Sequence, residues 1–337
     1  RVIDEVLKAH RRKPLSLFLS YFYNAHFDPS GFAEIRKLGI PTVNFYCNSI
    51  YQFDLVAAIA PCVDFSWHAE KHARDSYLKV GSTPIWVQMG ADPSVYHPVA
   101  GATRESKACF VGMRYADRDR WMTHLVRSGV PISIYGPGWE RSNGQSKIRQ
   151  DGPLTSLGRK RYPPRSFRSY YGSAVLNVKS AGLVGGILRT SNQIKYRNET
   201  LRISPILHPF ANAGISSDKI ADLFAKFAVV LNFSNVWADG RPGSPLIPHV
   251  RLRDFEGPMC RTCYLTGHSD EITEFYKIGE EIDTYRTPEE LVDKTEFYLS
   301  HPTEAERLRE SGYRRAIQDH TWAQRFRQLF RLIGLRN

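Results

Sequence analysis

Short apolar runs alternating with stretches of helical spacing constrain this chain more than any other feature. Residues 107–112 read KACFVG, a buried-strand run stopped by glycine. The following ADRDRWMTHLVRSG carries apolar residues at helical spacing and ends on a glycine stop. PISIYGPGW then supplies a second strand and turn. Strand, helix and strand in that order form a βαβ step, and successive steps build a doubly wound nucleotide-binding domain.

The same alternation runs through the first hundred residues. Apolar runs at Leu15–Tyr21, Pro41–Tyr46 and Cys62–Trp67 are separated by helical stretches such as Gly31–Leu38, and Lys79–Gly90 adds a helix end and a strand. Residues 91–99 (ADPSVYHPV) are Pro-rich without a helical period and read as a linker. Order returns at Ile215, where Ser216 and Ser217 are placed to cap SDKIADLFAKF. AVVLNFS and TCYLTG are strands, HVRLRDFEGPM is a helix candidate, and two amphipathic helices end the chain. Between Glu140 and Asn212 the pattern degrades into Ser, Gly, Arg and Pro, which reads as an irregular surface excursion. The expected organisation is α/β: an N-terminal domain over 1–98, a second over 99–320 with the excursion inside it, and a helix over 321–337 crossing back to the first.

At 337 residues the chain has the length of two ordinary domains, and 42% apolar with 24% charged residues is the composition of a folded protein. Its longest apolar runs fall far short of the roughly 20 residues that cross a bilayer. The chain starts at Arg1, and Arg1–Lys13 lacks the apolar centre of a secretion signal, so the start reads as the cut edge of a longer piece. Five scattered cysteines, Cys47, Cys62, Cys109, Cys260 and Cys263, argue against a secreted disulfide framework and for the cytoplasm. Cys260 and Cys263 form a C-x-x-C pair, but a structural zinc site needs four ligands and no second pair exists, so no metal site is expected. They read as two half-buried thiols beside a strand.

Forty-six Lys and Arg against 34 Asp and Glu leave a net charge of +12. That surplus attracts phosphates, nucleic acid or an anionic membrane face without choosing among them. The stretch 159–168 (RKRYPPRSFR) is open to three readings: a solvated loop, a membrane-surface contact or a phosphate-binding segment. No nucleic-acid-binding motif accompanies the charge, so no nucleic-acid partner is expected. Peripheral contact with an anionic membrane stays open.

One group of motifs goes further. The F-E pair of RDFEGPMCRTCYLTG, the helix carrying EEL, the YLSHP break and the HTW near the end stand in an order and at distances that resemble spore-maturation-type (CgeB-like) glycosyltransferases and, more distantly, the retaining GT-B superfamily. The likeness runs back through FVGMRYADRDRW and SIYGPGW to GADPSVYHP, and is loose over the first hundred residues. It implies a GT-B fold, two Rossmann-like doubly wound domains facing across a cleft. It implies transfer of a sugar from a nucleotide-diphosphate donor to a hydroxyl of a glycan, lipid-linked or protein acceptor, in the retaining sense. It also implies no cofactor and no metal, since protein groups replace a cation at the diphosphate.

By the same resemblance, Glu256 accepts hydrogen bonds from the ribose, as the acid of dinucleotide folds does. Arg118, or less closely Arg114, is the cation at the leaving diphosphate, with Arg253 a second. Gly112, Tyr135, Gly136 and Asn232, with Asp270 of the GHSDE loop, complete the donor-side candidates. Two positions depart from the pattern. A first glutamate is expected eight residues before Glu256, where this chain has Pro248 with His249 next to it, so the sugar-contacting acid is absent or is supplied by Asp254 or the loop Gly267–Glu271. Arg261 stands where glycine is expected.

His26, Asp28, Asn48, Asp64 and His68 fall near predicted strand ends, where open α/β sheets bind ligands. None sits in a motif, so each reads first as structural and only second as a catalytic candidate. An inactive nucleotide-sugar- or glycan-binding protein of the same fold is the alternative to an enzyme.

Overall fold

The computed structural model describes residues 1–139 and 167–335. The chain divides into two compact units, one of Arg1–Asp92 with Ala316–Asn337 and the other of Pro93–Arg315.

The first unit opens with α1 (Val2–Arg12), then alternates β1 (Phe18–Ser20), α2 (Ser30–Arg36), β2 (Thr42–Tyr46), the short α3 (Ser49–Gln52), β3 (Phe65–His68), α4 (Arg74–Lys79) and β4 (Pro84–Trp86). The four strands pair in parallel in chain order, so this sheet winds in one direction. Parallel strands covered on their faces are apolar throughout, which is why they read as runs in the sequence. One face carries Val43, Trp67 and Val87 against Leu329 of the last helix.

The second unit comprises β5 (Glu105–Val111), α5 (Arg118–Arg127), β6 (Ile132–Tyr135), α6 (Phe167–Leu207), β7 (Ala211–Asn212), α7 (Ile220–Phe224), β8 (Phe227–Asn232), β9 (Val236–Trp237), β10 (Leu246–Ile247), α8 (Arg253–Met259), β11 (Tyr264–Gly267), β12 (Asp283–Tyr285) and α9 (Pro288–Ser300). α10 (Pro302–Asp319) begins in this unit and ends in the other, and α11 (Trp322–Leu332) belongs to the first. Six strands form a parallel sheet in the order β12-β11-β8-β5-β6-β7. The chain builds outward from β5 in one direction, then returns to lay β8 on its other side. The strand order therefore reverses between β5 and β8, and in such sheets ligands bind outside the carboxyl ends of the strands at that point. α11 starts on a capping box in which Thr321 and Gln324 satisfy each other's backbone, the HTW segment of the sequence.

The irregular excursion expected over 140–212 needs correction in its described part. Residues 167–207 are helical, broken at Gly182 (φ 72°, ψ 176°). The pattern hid the helix because its described apolar residues do not form one core-facing stripe: among them Ile203 and Leu207 reach the core, while Leu183, Val184, Ile187 and Leu188 are exposed. Residues 159–166 of the basic stretch lie outside the described residues. Helix extents also shrink: SDKIADLFAKF is a 3-10 turn followed by α7, with Ser216 making no side-chain bond to the helix end, and HVRLRDFEGPM is helical only over α8.

Candidate functional site

Gly112 and Gly136 close the carboxyl ends of β5 and β6. A Cβ on Gly136 (φ 136°) would lie 2.4 Å from the Gly112 carbonyl oxygen, so the two backbones meet where no side chain fits. The chain then turns through Ala116, a non-glycine residue at φ 55°, into α5. This turn sets Arg118, the first residue of α5, across the point of strand reversal. Its Nη1 donates to the Met113 carbonyl after β5 at 2.9 Å, and its Nη2 to the Phe233 carbonyl after β8 at 3.4 Å. Its Nε is buried without a hydrogen-bond partner.

The Arg118 guanidinium lies 5.9 Å from the centre of the Tyr115 ring, and that of Arg251 lies 6.0 Å from the same ring. The Nε of Arg251 is also buried without a partner, and neither arginine makes an ion pair among the described residues. Burial, and then the charge of Arg251, push the Arg118 pKa down to about 10. The charge of Asp117 weighs little against this, and its Oδ2 already accepts from Trp121 at 2.8 Å and Asn235 at 2.7 Å. A buried and a half-buried cation, each with a spare buried Nε donor and no ion pair among the described residues, make a place where an anion is favoured.

Beside them is a cavity of about 200 Å³ at the carboxyl ends of β8, β11 and β12. Ser234 and Asn235 line it after β8, Gly267 and His268 after β11, and Arg286 after β12. Arg286 Nη2 lies 2.6 Å from His268 Nε2, and a guanidinium only donates. His268 therefore accepts at Nε2 and keeps its proton on Nδ1, which faces Thr284 Oγ1 at 3.2 Å.

Glu256 stands in the first turn of α8, buried, with Oε2 at 2.7 Å from Arg253 Nη1 and a hydrogen bond to the Tyr96 side chain. Burial, followed by the Glu256 charge, raises the Tyr96 pKa. Other donor-side candidates have structural occupations. Arg114 gives Nε and Nη2 to Asp119, Nη1 to Ser204 and Nη2 also to the Thr200 carbonyl, so it ties α6 to α5. Asn232 donates to Asp254 and Thr266. The Tyr135 ring packs 6.1 Å from Phe227, at the opposite end of β8 from the cavity. Asp270 is exposed, 3.5 Å from His268 Nε2.

The two departures resolve differently. Pro248 lines the cavity where the resemblance places a glutamate, and among the described residues no carboxylate lines it. Asp254 does not substitute for it: buried, it accepts from Asn232, Tyr264, Thr266 and the Arg251 amide. The GHSDE loop sends Gly267 and His268 to the wall. Arg261 has φ 56°, the left-handed region that favours glycine, directly after the α8 C-cap Cys260. Its guanidinium is paired with Glu306 and Glu310 of α10. Cys260 and Cys263 are buried outright, and burial pushes both thiols up to about 12, which leaves them unreactive.

The N-terminal candidates do not assemble into one constellation. His26 is exposed beside Tyr23. Asp28 accepts from the Ser30 amide and hydroxyl at the start of α2, and Asn48 accepts from Tyr51. Asp64 accepts from the Thr42 amide and hydroxyl. His68 is buried, with Nδ1 at 2.9 Å from the Glu70 carbonyl and its ring stacked on Tyr77.

Arg251, Asn235 and Arg286 were not singled out in the sequence, and His268 only as part of the Gly267–Glu271 loop. Their shared signal is position, each in a loop leaving the carboxyl end of a strand or leading into α8 beside it.

The fold is that of the GT-B class of architecture. The structure resembles sucrose-phosphate synthase from Thermosynechococcus elongatus (TM-score 0.55, 14% identity, 99% of this chain and 77% of that one). It also resembles Anabaena Alr3699/HepE in complex with UDP-glucose (TM-score 0.56, 9% identity, 99% and 82%) and a glycosyltransferase from Rickettsia africae ESF-5 (TM-score 0.55, 8% identity, 98% and 79%). Residues 209–331 match the model of the "glycosyl transferase-like" family. No curated protein matches the chain.

Proposed function

We propose that the protein transfers a sugar from a nucleoside-diphosphate donor to a hydroxyl acceptor. The observation that carries this reading is the pair Arg118, buried, and Arg251, half-buried with a buried Nε, neither in an ion pair among the described residues, beside a cavity at the strand-reversal point. The match of residues 209–331 to a glycosyl transferase-like model supports it. Departure of a nucleoside diphosphate builds negative charge on the leaving phosphate, and fixed cations aimed there stabilise the transition state without reorganising. Arg118 and Arg251 fill that role, and Glu256 takes the ribose hydroxyls. The cavity wall of Ser234, Asn235, His268 and Arg286 offers hydrogen bonds to sugar hydroxyls. Retention at the anomeric carbon, a hexosyl donor and independence from metal ions belong to the same proposal, as does a glycan, lipid-linked or protein acceptor.

A second reading has a specific observation behind it. Pro248 replaces the expected glutamate in a cavity wall that holds no carboxylate among the described residues, which suits a protein that binds a nucleotide sugar without turning it over. Thermal shift with UDP, GDP, ADP and dTDP, followed by nucleotide release from the matching sugars, separates the two. UDP comes first because the Anabaena structure holds UDP-glucose. Release that depends on an acceptor supports transfer. Tight binding without release under any acceptor condition leaves only the second reading, and no binding of any diphosphate defeats both.

A further inference from the structure

The break at Gly182 folds α6 back on itself. Asn177 Nδ2 reaches Thr190 Oγ1 and Gln193 Oε1, each at 3.1 Å, and Gly186 sits so close that a Cβ there would lie 2.5 Å from Val178 Cα. The returning arm is fastened to the body of its unit from Arg189 onward. Arg189 pairs with Asp239, Tyr196 packs on Trp237, and Glu199 pairs with Arg120. Residues 183–188, which precede these anchors, are the tip. Leu183, Val184, Ile187 and Leu188 are 68%, 72%, 59% and 61% exposed, although water disfavours each. A contiguous apolar cluster of this kind marks an interaction surface.

Charge selects the partner. From Gly182 to Leu207 the chain has Arg189, Lys195, Arg197 and Arg202 against the single acid Glu199, and the whole chain carries +12. A second copy would bring like charge against like charge. An apolar tip at the end of an arm with net positive charge instead matches an anionic bilayer, whose headgroups attract the cations while the acyl boundary accepts the tip. Among the described residues no helix is long and apolar enough to cross a membrane, so the contact is peripheral.

We propose that the α6 hairpin tip, Leu183–Leu188, inserts into the surface of an anionic lipid bilayer and holds the protein there. The proposal does not rest on sugar transfer, because nothing at the tip belongs to the diphosphate site.

Co-sedimentation with vesicles of phosphatidylcholine, alone or mixed with an equal part of phosphatidylglycerol, tests it. The protein should bind the mixed vesicles about tenfold more tightly than the neutral ones. L183S/V184S/I187S/L188S should abolish binding, and K195E/R202E should reduce it, with thermal midpoint and nucleotide-diphosphate binding unchanged in both. Val184→Trp gives a signal that needs no loss of binding: its emission should shift to the blue on adding mixed vesicles only. Absence of vesicle binding, binding undiminished by the serine substitutions, or a lipid-free dimer that those substitutions dissolve would each overturn the proposal.

Discussion

The guanidinium groups of Arg118 and Arg251 approach the same Tyr115 ring, at 5.9 and 6.0 Å from its centre, without an ion pair for either among the described residues. A protein that needed only stability would not keep such a pair. Desolvating a cation costs free energy unless a counter-charge arrives, and an incoming diphosphate is that counter-charge. Arg118→Met should therefore weaken nucleoside-diphosphate binding by about 10- to 100-fold, the range of one charge-assisted hydrogen bond. The substitution should not lower stability in the absence of nucleotide by more than about 1 kcal/mol, because it removes an unpaired buried charge. Calorimetric titration with UDP and denaturant unfolding measure the two effects; weaker folding with unchanged affinity would make Arg118 a structural residue.

The contact between Gly136 and Gly112 predicts a different outcome. Gly136→Ala places a methyl against the Gly112 carbonyl in a backbone conformation that L-residues rarely adopt. The chain must shift or unfold locally, and the loss expected is about 2 to 4 kcal/mol. Nucleotide affinity should fall with it, since the displaced turn carries Met113, whose carbonyl holds Arg118. A midpoint of urea unfolding within error of the parent would show that the turn relaxes at no cost.

His68 makes stability depend on pH. Its ring is buried, and burial holds its pKa near 4 against about 6.5 in an unfolded chain. Between those values the unfolded state binds the proton and the folded state does not. Stability is therefore full above about pH 6.5 and declines as pH falls toward 4, by up to about 3 kcal/mol. Urea unfolding of the parent and of His68→Gln from pH 7 to 4.5 should give a steeper decline for the parent; parallel curves would mean that His68 does not titrate in this window.

Much of this architecture was legible because buried parallel strands are apolar throughout. KACFVG and SIYGPGW announce β5 and β6 and their glycine stops. α6 was not legible, since its exposed apolar tip and four glycines obscure any stripe. Glu256 and Arg118 were named as candidates through the family resemblance, whereas Arg251, Asn235, His268 and Arg286 come from separate loops that only the sheet brings together. Arg261 shows the reverse case. A position flagged for lacking glycine proves to be left-handed, and its two ion pairs to α10 show what the larger residue gains there. Those pairs are half exposed and contribute about 0.2 to 1 kcal/mol each, comparable to the strain of about 1 to 2 kcal/mol at a left-handed residue. Arg261→Gly should consequently shift stability by less than about 1 kcal/mol in either direction, while Arg261→Ala, which keeps the strain and loses the pairs, should be the less stable variant by thermal unfolding.

The role given to Glu256 can be separated from a merely structural one by changing the ligand as well as the residue. Its carboxylate is ion-paired with Arg253 and hydrogen-bonded to Tyr96, so Glu256→Gln disturbs local packing whatever it binds. A ribose contact makes the variant's defect depend on the sugar hydroxyls; a packing role makes it independent of them. UDP affinity should fall about tenfold in Glu256→Gln, the cost of weakening a hydrogen bond to a charged acceptor. Affinity for 2′-deoxy-UDP, already lower in the parent, should change much less. The comparison is a double-mutant cycle across protein and ligand, in which coupling appears as non-additivity and general damage cancels. Equal losses for the two nucleotides would place Glu256 among the residues that hold α8 and leave the ribose contact to another group.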